Sequence, residues 1–144
     1  MKNCVYCTLP EIKARQIVEN GLAWAFPTNI PITPGHVLVV PKRCVGRYEE
    51  LTPEEKDAIE ELRLKLVGAL KSLYGAEGFH YAWNEAKVAG QSVPHFHLHI
   101  VPRKEGDDGI TEYEPRKFLY RPGSREATSE AELRVVAEEI RNVI

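Results

Sequence analysis

The chain has 144 residues, a length that corresponds to about one domain and suffices to bury a sizeable core. Its 19 Lys and Arg and 21 Asp and Glu side chains give a net charge of −2, so there is no basic field to hold a nucleic-acid backbone. Apolar runs such as 37–40 are far shorter than the roughly 18 residues of a membrane span, and the first residues lack a signal peptide's apolar core. We expect a cytoplasmic single domain over 1–144, with neither a nucleic-acid nor a membrane partner.

Four strands are predicted. Large apolar residues alternate with alanine along 22–26, as in a strand with two different faces. The run 36–40 is apolar and β-branched, which indicates a buried strand. Two further strands, 79–84 and 95–101, are separated by the loop 85–94, whose length suits an antiparallel connection. The pattern predicts an α+β fold with an antiparallel sheet.

A long helix is predicted between the second and third strands. Thr52 can cap its N-terminus, Pro53 suits its first turn, and Glu55 completes a capping box. An apolar stripe then runs to Gly75, with members three or four residues apart: Ile59, Leu62, Leu66, Leu70 and Leu73. We expect this helix to pack on the sheet, and a shorter one to occupy 129–144.

Three of the five histidines alternate along one predicted strand, as His95, His97 and His99. The side-chain period of two places all three on one face, so a plain solvated surface is the less favoured interpretation. Such histidines can chelate a metal, or they can perform nucleophilic and acid–base chemistry on a phosphate. The preceding Gly-Gln-Ser-Val-Pro at 90–94 adds an amide and a hydroxyl that can donate to phosphate oxygens, which favours the second chemistry.

Two segments carry a resemblance to a known family. GQSVPHFHLHIVPR, residues 90–103, resembles the signature of the histidine triad superfamily, and PITPGHVLVVPKR, residues 31–43, is similar to its second hallmark. The resemblance covers about residues 4–103, the expected core, and leaves 104–144 as a C-terminal extension. It implies the α+β fold of that family, assembled as a homodimer, which binds a nucleotide and attacks its α-phosphorus without an organic cofactor.

The resemblance implies chemical roles for four residues. His97 would be the nucleophile and form a nucleotidyl-histidine intermediate. His99 and Gln91 would contact the α-phosphate, and Ser92 would support the phosphate or the leaving group. For His97 to attack through one ring nitrogen, the other must carry the proton, and we expect it to donate to a nearby backbone carbonyl.

The resemblance also implies contacts to the nucleotide from His36 and Asn84. The family commonly has Asp or Asn eight residues before the histidine of the Pro-Gly-His segment, where it holds the ribose hydroxyls. This chain has Thr28 at that position, with Asn29 next to it as the residue available to substitute. The alternative is that the pair forms a plain turn before Pro31.

The three cysteines are Cys4, Cys7 and Cys44. A redox pair of cysteines would open a helix after a strand, which this N-terminus does not show. A structural zinc site needs four ligands, so the three thiolates would have to be joined by one imidazole. Some triad proteins hold zinc with an N-terminal cysteine pair, a residue just after the PKR segment and the first triad histidine. By that resemblance His95 is the fourth ligand, with Cys44 in place of the usual histidine. The alternative is three reduced thiols, with Cys44 as a small core residue.

The favoured function is a nucleotide hydrolase of this family. Two alternatives stay open: a nucleotidyltransferase or phosphorylase that uses the same intermediate, and a non-catalytic nucleotide-binding regulator. The region after the triad is locally basic and could clamp distal phosphates, although a solvated surface is the favoured interpretation of its cations: Arg103, Lys104, Arg116, Lys117, Arg121 and Arg125.

Overall fold

The computed structural model describes residues 4–109 and 126–144. A five-stranded sheet forms the centre, with the strand order β1-β2-β3-β5-β4 and antiparallel pairing throughout. The strands are β1 (Val18–Glu19), β2 (Ala23–Pro27), β3 (Val37–Pro41), β4 (Gly78–Ala82) and β5 (Leu98–Arg103). The predicted α+β class with an antiparallel sheet is confirmed.

Four α-helices accompany the sheet in the described ranges: α1 (Val5–Thr8), α2 (Pro10–Ala14), α3 (Pro53–Tyr74) and α4 (Glu130–Arg141). Helix α3 begins with the predicted capping box, because the hydroxyl of Thr52 accepts from the backbone N–H of Glu55 and the Glu55 carboxylate accepts from that of Thr52. It ends at Gly75, whose φ of +68° is the left-handed conformation of a helix C-cap. No helix in the described part of the chain is both long and apolar enough to cross a membrane.

The two faces of the sheet pack differently. Helices α3 and α4 cover one face, where Ala23 and Ala25 belong to the main hydrophobic core. Trp24 and Phe26 lie on the other face, in a smaller cluster that includes Ile12 of α2. The predicted alternation of β2 is therefore confirmed, and the second face remains available for a site between the sheet and the N-terminal helices.

Strand β5 begins at Leu98, three residues later than predicted. The backbone N–H of Phe96 donates to the carbonyl of Val45 over 2.6 Å, and that of His95 donates to Val93 over 2.7 Å. The backbone N–H groups of the two residues therefore bond to loop carbonyls and not to a neighbouring strand, which is why the strand begins only at Leu98. Helices α1 and α2 were not predicted, because four or five residues are too few to show helical periodicity.

The turn after β3 is fixed by an ion pair that reaches the start of α3. The guanidinium of Arg43 donates to both carboxylate oxygens of Glu55, at 2.7 and 3.0 Å. Glu55 is buried, and the hydrogen bonds from Arg43 hold the pKa of this carboxyl below its usual value. The pair therefore fixes the backbone next to Cys44.

Candidate active site

A cavity of about 560 Å³ lies on the face of the sheet opposite α3. Helices α1 and α2 form one wall, the sheet forms the floor, and the start of α4 contributes a third side. The apolar part of the lining comes mainly from Val5, Leu9, Ile12, Phe26 and Leu38. His97 and His99 line the same cavity, so it combines an apolar surface with two imidazoles.

His97 is held in one tautomer by the backbone. Its Nδ1 lies 2.9 Å from the carbonyl oxygen of His95, a contact in which the ring nitrogen donates. The proton is then on Nδ1, and Nε2 keeps the lone pair. Burial lowers the pKa of His97, so the ring is neutral at neutral pH. The ring of Tyr6 meets it edge-on, with centroids 5.4 Å apart.

His99 is oriented by a chain of hydrogen bonds from behind the cavity. The backbone N–H of Ile32 donates to Nδ1 of His36 over 3.1 Å, so the proton of the neutral His36 ring is on Nε2. His36 Nε2 lies 2.9 Å from His99 Nδ1 and donates to it. The proton of His99 is therefore on its own Nε2, which makes this ring a donor. His36 itself is buried behind His99 and does not line the cavity.

The cavity is also lined by three residues singled out in the sequence: Ser92, Thr28 and Asn29. Ser92 is exposed, whereas Thr28 is buried and its hydroxyl accepts from the backbone N–H of Ile30 at 3.4 Å. The backbone carbonyl of Asn29 accepts from the N–H of Thr128, which ties the C-terminal segment to this end of the cavity.

Gln91 and Asn84 lie in the β4–β5 connection and are not part of the cavity lining. The Gln91 amide donates to the carbonyl of Gly46 and accepts from the N–H of Ala86, both at 2.9 Å. Asn84 Nδ2 donates to the carbonyl of Gly90 over 3.5 Å. In this structure both amides hold the shape of their loop, and their predicted contacts to phosphate and nucleotide stay predictions.

The four predicted metal ligands meet at one point. The ligand atoms of Cys4, Cys7, Cys44 and His95 all lie within 4.8 Å of one another. His95 Nε2 donates to the carbonyl of Pro41 over 2.7 Å, so the lone pair is on Nδ1, which lies 3.1 Å from Cys4 Sγ and 3.6 Å from Cys7 Sγ. This hydrogen bond gives the ring the tautomer that a metal ligand needs.

The electrostatics of this cluster fit a cation. Partial burial and the neighbouring Cys4 thiol raise the pKa of Cys7, and partial burial together with the Cys4 and Cys7 thiols raises that of Cys44 to about 12. Three thiols and one imidazole form a set that zinc accepts, and a divalent cation would displace their protons. The alternative tri-histidine metal site is not supported, because His95 faces the thiols, His97 bonds to a carbonyl and His99 bonds to His36.

Two polar residues of the cavity were missed by sequence reasoning. Arg15, which directly follows α2, donates to both carboxylate oxygens of Glu130, each at 2.8 Å, and both residues line the cavity. They are 115 positions apart, so no local pattern could join them. Of the basic residues after the triad, Arg103 bonds to Asp107, and Lys104 donates to a carbonyl of α3. The others lie outside the described residues: Arg116, Lys117, Arg121 and Arg125.

Comparison with known proteins identifies the family. The model of the HIT domain matches residues 9–106, more than half of the chain. The chain belongs to the HIT family. It is 36% identical over 130 residues to the bis(5'-adenosyl)-triphosphatase of Dictyostelium discoideum, with 84% of each chain covered. It is 40% identical over 107 residues to the asymmetrical bis(5'-nucleosyl)-tetraphosphatase of Schizosaccharomyces pombe, which covers 74% of this chain and 59% of that one.

A solved structure of a HIT protein adds a relative with a metal. The zinc-bound histidine triad family protein from Mycobacterium smegmatis superposes with a TM-score of 0.74 and 25% identity, over 99% of this chain and 93% of that one. The resemblance to the family that the two histidine segments indicate is thus confirmed, and so is the α+β fold of the single chain.

The hydrogen bonds of the three rings predict their tautomers. At neutral pH we expect long-range proton–nitrogen NMR spectra to place a proton on Nδ1 of His97 and on Nε2 of His36 and His99. In each ring the second nitrogen either accepts a hydrogen bond or carries an unshared lone pair. His36→Leu removes the donor to His99 and should shift the ring-nitrogen signals of His99 more than those of His97. A proton on Nε2 of neutral His97 would contradict the assignment.

Proposed function

We propose that the protein is a nucleotide hydrolase that cleaves at the α-phosphate of a nucleoside phosphoramidate or a dinucleoside polyphosphate. The observation that carries the proposal is the tautomer of His97, whose Nδ1 proton is bound by a carbonyl while Nε2 keeps its lone pair in a ring that lines the cavity. A cavity of about 560 Å³ is of the size of sites for small ligands. A neutral, fixed imidazole is a competent nucleophile toward phosphorus.

The reaction proceeds in two displacements. His97 Nε2 attacks the α-phosphorus, a P–N bond forms, and the bond from phosphorus to the leaving group breaks with its electron pair going to that group, which takes up a proton from solvent if it is an amine. Water then attacks the same phosphorus and gives up a proton to solvent, while the P–N bond breaks with its electron pair returning to Nε2. The products are a nucleoside monophosphate and neutral His97. His99, a donor through Nε2, and Ser92, a hydroxyl at the cavity, stabilise the charge on the phosphate oxygens.

The rest of the cavity suits a nucleoside. Phe26, Leu38 and Ile12 offer an apolar surface for a planar base, and Asn29 lies at the same cavity. His36 acts through His99 rather than by touching the nucleotide. We propose that 1–144 functions as a single domain, because α4 packs on α3 and β2 and contributes to the cavity.

Water is the favoured acceptor because the two relatives described above are named as phosphatases. A transferase or phosphorylase would use the same first displacement, and assays with and without added phosphate separate the two. A regulator that binds without turnover would not need His97 in its nucleophilic tautomer, so this alternative has less support.

Replacement of the nucleophile gives the test of mechanism. His97→Asn should lower kcat on an adenosine phosphoramidate by roughly a thousandfold or more, because only positioning and electrostatics remain for direct attack by water. Binding measured by calorimetry should change little. His99→Asn should cost less, about a hundredfold, because it removes a donor and not the nucleophile.

A matched control is His80→Asn, since His80 is an exposed histidine of β4 outside the cavity, and its turnover should stay near that of the wild type. Rapid quenching without acid, followed by mass spectrometry, should find a nucleotidyl group on His97. Near-normal turnover by His97→Asn would overturn the covalent mechanism.

We also propose that Cys4, Cys7, Cys44 and His95 hold a structural zinc ion, supported by their convergence and by the tautomer of His95. The ion would tie α1 to the ends of β3 and β5 and would supply no reaction step. Zinc ligation requires reduced cysteines, which a reducing compartment maintains, so we propose the cytoplasm as the location.

Metal analysis tests this site directly. Freshly reduced protein should contain about one zinc per chain, and a chelator should lower Tm, because metal binding contributes to folding. Cys44→Ser should lose zinc and chelator sensitivity together. Ser92→Ala, which changes a hydroxyl at the cavity but no ligand, should keep both. Substoichiometric zinc in the wild type would leave the cysteines as ordinary thiols.

We propose that two chains pair along β4, as the family resemblance implies. β4 is an edge strand of the sheet, and the side chains of Tyr81 and Trp83 beside that edge are 43% and 40% exposed. Large aromatic groups on an unpaired edge favour association. The pairing would extend the sheet across two chains.

Analytical ultracentrifugation tests the dimer. The wild type should sediment with twice the chain mass of 16.3 kDa, and Trp83→Arg should shift it toward the monomer because a charge would be buried at the interface. Val135→Arg places the same charge on the exposed surface of α4 and should leave the dimer intact. A monomeric wild type would contradict the proposal.

A further inference from the structure

An ion pair in the wall of the cavity is not used by the chemistry described above. Arg15, at the end of α2, and Glu130, the first residue of α4, meet there through two contacts of 2.8 Å. The Arg15 side chain is only 5% exposed, whereas that of Glu130 is 40% exposed. The carboxylate therefore has an open side, and the guanidinium behind it does not.

The pair is fixed from both ends. Arg15 Nε donates to the carbonyl of Pro27 at 3.0 Å, which anchors the guanidinium to the end of β2. Around Glu130, the N–H of Thr128 donates to the Asn29 carbonyl at 2.8 Å, and Arg141 at the other end of α4 donates to the carbonyl of Gln16 at 3.0 Å. Glu130 is thus a preorganised carboxylate rather than a mobile surface side chain.

The chemistry of this carboxylate favours a ligand with two hydroxyl donors. Each oxygen keeps a lone pair beyond the one directed at Arg15, so the group can accept from two neighbouring O–H groups. The positive charge of Arg15 balances that of Glu130, so the pair adds no net charge that would repel an anionic phosphate at His97. Thr28, with its hydroxyl engaged by a backbone N–H, is a weaker acceptor for the same hydroxyls.

We propose that Glu130, positioned by Arg15, binds the 2'- and 3'-hydroxyls of the ribose and selects ribonucleotides over deoxyribonucleotides. The inference rests on the proposed function in one respect, that a nucleotide occupies this cavity. Glu11 is the other carboxylate of the lining, but it is exposed and no arginine is bonded to it in the described structure. The C-terminal extension then supplies the selectivity for the sugar.

The test compares binding of adenosine 5'-monophosphate with that of its 2'-deoxy and 3'-deoxy analogues, measured by calorimetry. The wild type should bind the ribonucleotide at least about tenfold more tightly than either analogue, the effect of a lost charge-assisted hydrogen bond. Glu130→Ala should weaken ribonucleotide binding selectively and bring the three affinities to within about twofold of one another. A fold defect would weaken all three ligands alike, so the ratio is the readout.

Glu130→Ala leaves the buried Arg15 without its partner, so the double variant Arg15→Met, Glu130→Ala removes both charges and should show the same loss of discrimination. Glu132→Ala changes an exposed glutamate in the same turn of α4 and should keep the wild-type ratio.

Discrimination that survives in the double variant, or that is absent in the wild type, would overturn the assignment to Glu130. So would its loss in Glu11→Ala with retention in Glu130→Ala. If the wild type binds none of the three nucleotides, the proposed function fails together with the assignment. If it binds all three without discrimination, only the assignment to Glu130 fails.

Discussion

The hydrogen bonds of His95 connect the parts of the site. Its ring donates to the carbonyl of Pro41 at the end of β3, and its Nδ1 faces the thiol of Cys4. Its own carbonyl accepts the Nδ1 proton of His97. The residue that completes the cysteine cluster thus also sets the tautomer of His97, the proposed nucleophile. Displacement of His95 would disturb the N-terminus, the end of β3 and the His97 ring together.

The three alternating histidines lie close together in the chain, yet each ring has different surroundings. Each of the three rings has one nitrogen bonded to a different group. The His95 ring bonds to the carbonyl of Pro41, the His97 ring to the carbonyl of His95, and the His99 ring to the imidazole of His36. Each partner determines which nitrogen carries the proton. One short segment therefore holds three rings whose free nitrogens differ, and this difference in surroundings underlies the separate roles proposed for them.

Local signals predicted the elements that local interactions determine. The capping box of Thr52 and Glu55 and the stop at Gly75 depend on neighbours within a turn of helix, and the structure has them. The structure also gives a physical reason for Gly35 in the Pro-Gly-His segment, which local patterns did not supply. Its φ is +90°, and a Cβ there would lie 2.7 Å from the ring of Tyr74, so only glycine fits the turn into His36.

What sequence reasoning missed depends on contacts between distant parts of the chain. The start of β5 was misplaced because a carbonyl of the β3 turn, at Val45, takes the N–H of Phe96. Gln91 has both ends of its amide engaged by loop backbone, which its position in the signature does not reveal. The resemblance supplied the residues that converge on the cysteine cluster, and only the fold could supply the wall that α1 and α2 build.

Helix α4 lies beyond residues 9–106, the part of the chain that matches the family model, yet its first residue borders the cavity. Substitutions in α4 can therefore reshape one side of the cavity while the three histidines and the sheet remain as they are. A match to the family model over 9–106 describes the triad and the sheet, and it leaves the wall that α4 contributes unspecified.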